Sequence, residues 1–260
     1  MEDSLKKITV DRREQILKLI TEKGKVYVHE LSALFSVSEV TIRNDLDQLE
    51  KKNHLIRARG GAMKIEGQVS LDFKLSDKHK LNFAEKAAIG KKAATLISES
   101  ETIILDSGTT TAQIAKNLSN FKNLTVVTNA INIVNTLAQY SDINVIMPGG
   151  YLRKNSLSLV GPLAEKNFRQ LFVDKAFIGV DGFDVTMGAF TPNIEEASLN
   201  EIMIEVAKEI IIVADSSKLN RKSLSLICPV SKINTLVTDS GISEVDHKKL
   251  MDRGVNVIIA

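Results

Sequence analysis

Apolar residues in the first quarter of the chain recur at spacings of three and four. Ile16, Leu17 and Ile20 share a face of residues 12–23 (RREQILKLITEK). Val28, Leu31, Leu34 and Phe35 share a face of a second run, and Ile42, Leu46 and Leu49 of a third. That spacing marks amphipathic helices. Gly24 can stop the first. Ser36-Val37-Ser38 separates the second from the third, and two helices joined by so short a turn predict a helix-turn-helix. Residues 54–63 (HLIRARGGAM) alternate weakly and contain paired glycines, which predicts a short hairpin wing.

The texture then changes. Residues 65–83 are polar, charged and poorly periodic, and predict a linker. From Ala84 an alanine-rich helix (AEKAAIGKKAATLI) leads into apolar β-branched runs at 102–106, 125–128, 143–147, 176–181, 209–215, 235–239 and 255–260. Helical patterns at 110–119, 130–139, 162–171, 195–207 and 243–252 separate most of them. Strands alternating with helices predict βα units and a largely parallel sheet covered on both faces. The expected organisation is a DNA-reading head over 1–64, a linker over 65–83 and an α/β domain over 84–260.

Composition adds little and excludes some things. The 260 residues, 43% hydrophobic and 25% charged, suit a globular protein of two domains. Net charge is only +2, but residues 1–64 hold 13 Lys+Arg against 10 Asp+Glu. Cys228 is the only cysteine, so no intrachain disulfide can form, and a buried apolar role is expected for it. Apolar runs fall short of a membrane span and MEDS is no signal peptide, so the expectation is a cytoplasmic protein with no membrane partner. The histidines at 29, 54, 79 and 247 are scattered, which predicts no metal site.

The third helix carries the chemistry of base reading. Ser38 is a good N-cap, and Glu39 suits the helix N-terminus. With Ile42, Leu46 and Leu49 inward, the outer face presents Val40, Arg43, Asn44, Asp47 and Lys51, with Thr41 and Gln48 at its margin. Arg can grip guanine, Asn can read adenine, and Val can touch a thymine methyl. The first turns of such a helix enter the major groove, so Ser38 to Asn44 are expected nearest the bases. Lys25, Thr41, Lys51, Arg57 and Arg59, with Gly60 at the wing turn, are expected to meet the phosphate backbone.

This segment resembles the signature of the DeoR family of bacterial transcription regulators. The Ser-x-x-Thr-Ile-Arg-x-Asp-Leu core is matched by Ser38, Thr41, Ile42, Arg43, Asp45 and Leu46. The Arg-x-x-Gly-Gly-Ala wing is matched by Arg57, Gly60, Gly61 and Ala62. Asn44 stands where many members carry a second Arg, which implies a different operator preference or a subgroup. The resemblance continues through DSGTTT (106–111), TN (128–129), PGG (148–150), GVDG (179–182) and ADSSK (214–218). It implies a sensor domain with a ribose-5-phosphate isomerase-like fold, a phosphorylated sugar as effector, and no cofactor. TIRNDL, ILDSGTTT and ADSSKLNR are similar to regulators of N-acetylgalactosamine and related amino-sugar operons.

The residues give that reading physical content. DSGTTT follows a strand and opens a helix, which makes an anion cradle of free N–H groups. Ser107, Gly108, Thr109 and Thr110 would hold the phosphate after Asp106, with Lys218 as a nearby cation and Arg153 as a second. Thr128-Asn129, Gly149-Gly150 and Asp181 also fall at C-terminal strand ends, where open α/β sheets bind ligands. Asp181 and Glu195 or Glu196 would accept sugar hydroxyls. The alternative is a sugar-phosphate isomerase, because DGFD (181–184) resembles that enzyme's Asp-Gly-x-Asp. Val185 stands where its next carboxylate would be, and Met187 where its lysine would be. The expectation is therefore a homo-oligomeric repressor of a sugar-utilisation operon, dimer or tetramer, with operator DNA as partner and no enzymatic activity.

Overall fold

The computed structural model describes residues 12–20, 23–51, 55–63 and 72–260, with main chain only at Lys51 and Ile56. The chain divides after Gln68 into two compact units.

In the first unit a helix over 12–20 (α1) precedes β1 (Lys25–Tyr27), α2 (Val28–Phe35), α3 (Glu39–Lys51), β2 (Ile56–Ala58) and β3 (Gly61–Met63). Ser36, at φ 51°, ends α2, and Ser32 Oγ donates to Val37 O at 2.6 Å. Ser38 Oγ then accepts from Thr41 N at 3.1 Å, so the N-cap expected from sequence starts α3. The buried stripe Ile42, Leu46 and Leu49 closes on Ile16, Ile20, Val28 and Leu31. The hairpin wing is present, and its β3 also pairs with β1, giving the antiparallel order β1-β3-β2. Two glycines make this possible for different reasons. Gly60 turns the hairpin at φ +76°, and a side chain on Gly61 would fall on Val26 O. Three residues were too few for β1 to show in the sequence. Leu34, expected inward, is 61% exposed.

The second unit is built on a seven-stranded parallel sheet. Its strands are β4 (Thr102–Leu105), β5 (Leu124–Val127), β6 (Ile143–Ile146), β9 (Val173–Gly179), β12 (Ala207–Val213), β14 (Thr235–Thr238) and β15 (Asn256–Ile259). The spatial order is β15-β14-β12-β9-β4-β5-β6, and each strand falls on a run expected from sequence. Alternate strand residues face two cores. Ile103, Leu105, Phe177 and Ile211 pack with residues of α5 (Phe83–Ala94), α6 (Thr111–Ala115) and α7 (Ile131–Leu137). Ile104, Ile178, Ile212 and Leu236 pack with residues of α8 (Pro162–Phe168), α9 (Ile194–Glu205) and α10 (Glu244–Met251). Burial on both faces is why these strands read as unbroken apolar runs.

Two antiparallel pieces lack that signature. One is the hairpin β7 (Tyr151–Arg153) and β8 (Ser158–Val160). The other is the sheet of β10 (Gly182–Asp184), β11 (Gly188–Thr191) and β13 (Ser225–Pro229). The expected linker needs correction. Residues 65–71 lie outside the described residues, but 72–83 belong to the second unit and include α4 (Leu75–Lys80). Polar contacts with the strand ends hold them there, which their lack of apolar periodicity concealed. No helix among the described residues is long and apolar enough to cross a membrane.

Candidate functional site

The outer face of α3 carries Val40, 63% exposed, with Arg43, Asn44 and Gln48 also exposed and Ser38 just ahead of them. Thr41 is half-buried, its hydroxyl 2.9 Å from that of Ser38. Arg43 leans back one turn, Nη2 to Glu39 Oε2 at 2.5 Å. Both groups are about half exposed, so the pair stabilises weakly and can open. Arg57 is committed within the unit. Its Nε lies 3.1 Å from Asp47, Nη1 donates to Gly61 O at 3.2 Å, and its amide donates to Glu50 at 3.0 Å. It braces the wing against α3, a second demand beside the phosphate contact expected for it. Arg59 and Gly60 stay exposed at the wing tip, and Lys25 is exposed with Nζ 4.7 Å from the Tyr27 ring centroid. The side chain of Lys51 lies outside the described residues.

Sequence gave no sign of what holds this face in place. Asp45 is 2% exposed and receives Arg12 Nε at 2.6 Å and Arg13 Nε at 2.7 Å, which ties α1 to α3. A buried carboxylate needs such partners, because leaving it unpaired is costly.

In the second unit the topology itself locates a switch point, the place where open α/β sheets form a ligand crevice. From β4 the chain winds outward through β5 and β6, and from β9 the opposite way through β12, β14 and β15. Between β4 and β9 the winding reverses, and ligands of open α/β sheets bind outside the strand C-termini at such a point. Asp106 follows β4 and Asp181 follows β9 there. Asp106 is 1% exposed; its Oδ2 accepts from Gly179 N at 3.0 Å and from Asn200 Nδ2 at 3.3 Å, while Oδ1 has no partner. Burial, with Glu196 and Asp181 adding to it, pushes its carboxyl well above the usual carboxylate range.

The loop after Asp106 is tight. Thr111 Oγ1 donates to Asp106 O at 2.8 Å, so that hydroxyl is spent on the turn. Ser107 and Thr109 differ, since among the described residues neither amide nor hydroxyl finds a partner. Gly108 and Thr110 complete the loop. The helix that follows is only Thr111–Ala115, shorter than expected, so the loop's N–H groups matter more than a helix dipole. Thr128 is buried and its Oγ1 accepts from Ala130 N at 3.1 Å. Asn129 Nδ2 donates to Leu159 O at 3.1 Å, and its Oδ1 has no partner. Gly149 and Gly150 both have positive φ, and a side chain on Gly150 would come 2.7 Å from Val160 O.

Charge converges past the ends of β9 and β12. Asp181 lies 2.7 Å from Lys78 Nζ and 3.8 Å from Lys218 Nζ. Burial alone would raise its carboxyl, but Lys78 and Lys218 hold it below the usual range. Lys86 is 4% exposed and donates to Lys78 O at 2.7 Å and Leu81 O at 2.6 Å. Burial, then the nearby Lys218, pulls it down to about 8. Asp215 accepts from Asn82 Nδ2 at 2.7 Å and from Ser217 Oγ, and its Oδ2 has no partner. Lys78, Lys86 and Asn82 come from the segment read as linker and from the start of α5, where a polar texture gave no hint of a site.

Two expectations change. Arg153 is no free cation, because Asp72 pairs with it and Glu196 Oε1 lies 2.8 Å from Nη1. Glu195 is exposed, whereas Glu196 turns inward to Arg153 and, at 3.4 Å, to Ser158 and Thr191. One helical position decides which carboxylate faces the crevice, and Asn193 Oδ1, capping the amide of Glu196 at 3.0 Å, sets it. No group of three or more His, Cys, Asp or Glu placed to hold a metal ion occurs among the described residues.

Comparison with known proteins gives a family for both units. Residues 12–68 match a DeoR-like helix-turn-helix domain, and residues 81–240 match a DeoR C terminal sensor domain. The chain is 41% identical over 252 residues to a putative aga operon transcriptional repressor of Escherichia coli O157:H7, covering 96% of this chain and 94% of that one. It is 33% identical over 250 residues to the HTH-type transcriptional regulator GolR of Listeria innocua, covering 96% and 98%. The solved ribose 5-phosphate isomerase A of Methanocaldococcus jannaschii overlaps 53% of this chain and 55% of its own at 20% identity and a TM-score of 0.40. So distant a likeness carries nothing about chemistry. The match across both units is decisive: the chain belongs to the DeoR family of transcription regulators.

Proposed function

We propose that the chain is a repressor of a sugar or amino-sugar utilisation operon, released from its operator by a phosphorylated sugar bound at the β4/β9 crevice. One observation carries the effector half. At the switch point, the unpartnered donors of Ser107 and Thr109 follow Asp106, which feels the charge of Asp181, and Asp181 lies 3.8 Å from Lys218 Nζ with Lys86 also near it. Free N–H and hydroxyl donors beside cations suit a phosphate. Asp181, Glu196 and Asn129 supply acceptors for sugar hydroxyls. The similarity to an aga operon repressor supports an N-acetylhexosamine phosphate or its breakdown product. On the other unit, Val40, Arg43, Asn44 and Gln48 read base edges, while Thr41, Lys51, Arg57, Arg59 and the wing position the head on phosphates. A homo-oligomer presents paired heads to paired half-sites.

The test has two parts. A duplex enriched from a random pool by the purified protein defines its operator, and a thermal-shift screen of hexose and N-acetylhexosamine phosphates defines the effector. Lys218→Ala should lose most of the thermal shift while binding the enriched duplex normally. Equal shifts in variant and wild type would remove Lys218 from the site. Brisk interconversion of aldose and ketose phosphates, with no duplex enriched, would favour an enzyme instead.

A further inference from the structure

Residues 72–82 run across the strand ends as a strap, and their ties occupy groups that a ligand in the crevice would need. Asp72 pairs with Arg153 and accepts from Asn155 Nδ2 at 3.1 Å, and the amide of Leu75 donates to Asn155 O at 2.7 Å. Lys78 holds Asp181 at 2.7 Å. Asn82 donates to Asp215 and, at 3.0 Å, to Ser217 Oγ. The helix within the strap, α4, has no buried residue. So short a helix has little stability of its own. Polar ties, among them those of Lys86 Nζ to Lys78 O and Leu81 O, help hold the strap, and the ties to Arg153, Asp181 and Asp215 can be exchanged for a polar ligand.

The strap also lies at the start of the second unit, so the chain runs from it through residues 64–71 to the DNA-reading unit. We propose that residues 72–82 are a latch. In the closed, ligand-free form they favour operator binding. A sugar phosphate competes for Arg153 and Asp181, frees the strap and so weakens the hold on DNA. A ligand shifts such an equilibrium only through unequal affinity for its two states. The latch supplies that inequality, because the closed strap occupies the ligand's partners. The inference rests on the crevice being the effector site, and its consequence for DNA binding can be read without any sugar.

Thermodynamic reciprocity fixes the signs. Asp72→Asn and Lys78→Met should each weaken ligand-free binding to the enriched duplex by at least about 5-fold. Each should also tighten binding of N-acetylgalactosamine 6-phosphate, because the strap no longer competes. Unchanged duplex affinity in folded variants would overturn the latch. So would weaker sugar binding by Lys78→Met, which would make Lys78 a ligand contact. Hydrogen exchange on the full wild-type chain needs no variant. The amides of Leu75 and Lys78 should lose protection when N-acetylgalactosamine 6-phosphate is added and raises the melting point, and unchanged or greater protection would overturn the proposal. Failure of every phosphosugar to bind would instead reject the effector reading and leave the latch to the ligand-free measurement.

Discussion

Arg43, proposed to read a base edge, is exposed on α3, and its neighbour Glu39 shapes what it can do. The 2.5 Å ion pair across one turn holds the guanidinium against the helix in the free protein. On DNA that pair must open, or persist while the outer edge of the guanidinium makes the contact. If Arg43 reads a base, Arg43→Ala should cost about 1–3 kcal/mol of operator affinity and relax discrimination at one position. Binding measured against single-base operator variants checks this, and undiminished discrimination would reject the role. Arg43 and its exposed neighbours were legible because helical spacing sorts inward from outward residues. The ties from Arg12 and Arg13 to Asp45 were not, because these residues lie more than 30 positions apart and sequence periodicity is blind to such contacts.

The wing and the strap differ in how far sequence could show them. Gly60-Gly61 announced a turn, and the structure adds why both are glycine. Gly60 meets a backbone requirement, and Gly61 lets β3 pass Val26 of β1. A methyl group at 61 has only main chain to displace, so Gly61→Ala should destabilise the first unit by about 1–3 kcal/mol. Its operator affinity should fall with the displaced wing; a full-strength complex from a folded variant would show that wing placement is immaterial. The parallel strands were legible because burial on both faces demands continuous apolar residues. The strap was not, because a segment held by ion pairs has the same composition as a solvated linker. The corrections at Glu195 and Arg153 have the same origin, since a charged residue's partner is set by the fold and not by its neighbours in sequence.

At the scale of the whole molecule, the proposed function joins a duplex-reading unit and an anion-binding unit in one chain, with a coupling free energy between them as the regulation. Charge in the crevice makes that coupling depend on pH. Lys86, lowered to about 8 by burial and by Lys218 and Lys78, against the pull of Asp215 and Asp181, is partly neutral in mildly alkaline solution. A phosphate brought near would favour its charged form and raise that value again. Binding should therefore take up a proton, and effector affinity should fall as pH rises through about 8, by no more than about tenfold per pH unit. The second ionisation of phosphate, near about pH 6, is complete before this window opens. Calorimetry in buffers of different ionisation enthalpy would measure the uptake; proton release, or affinity flat from pH 7 to about 9, would place the phosphate away from Lys86.

Titration of the enriched operator duplex with the full-length protein, without and with saturating N-acetylgalactosamine 6-phosphate, puts the whole account at stake. Tight, sequence-selective binding is expected, weakened by the sugar phosphate by about 5- to 150-fold, with inorganic phosphate far less effective. Identical binding curves, for a ligand shown by its thermal shift to occupy the protein, would contradict it.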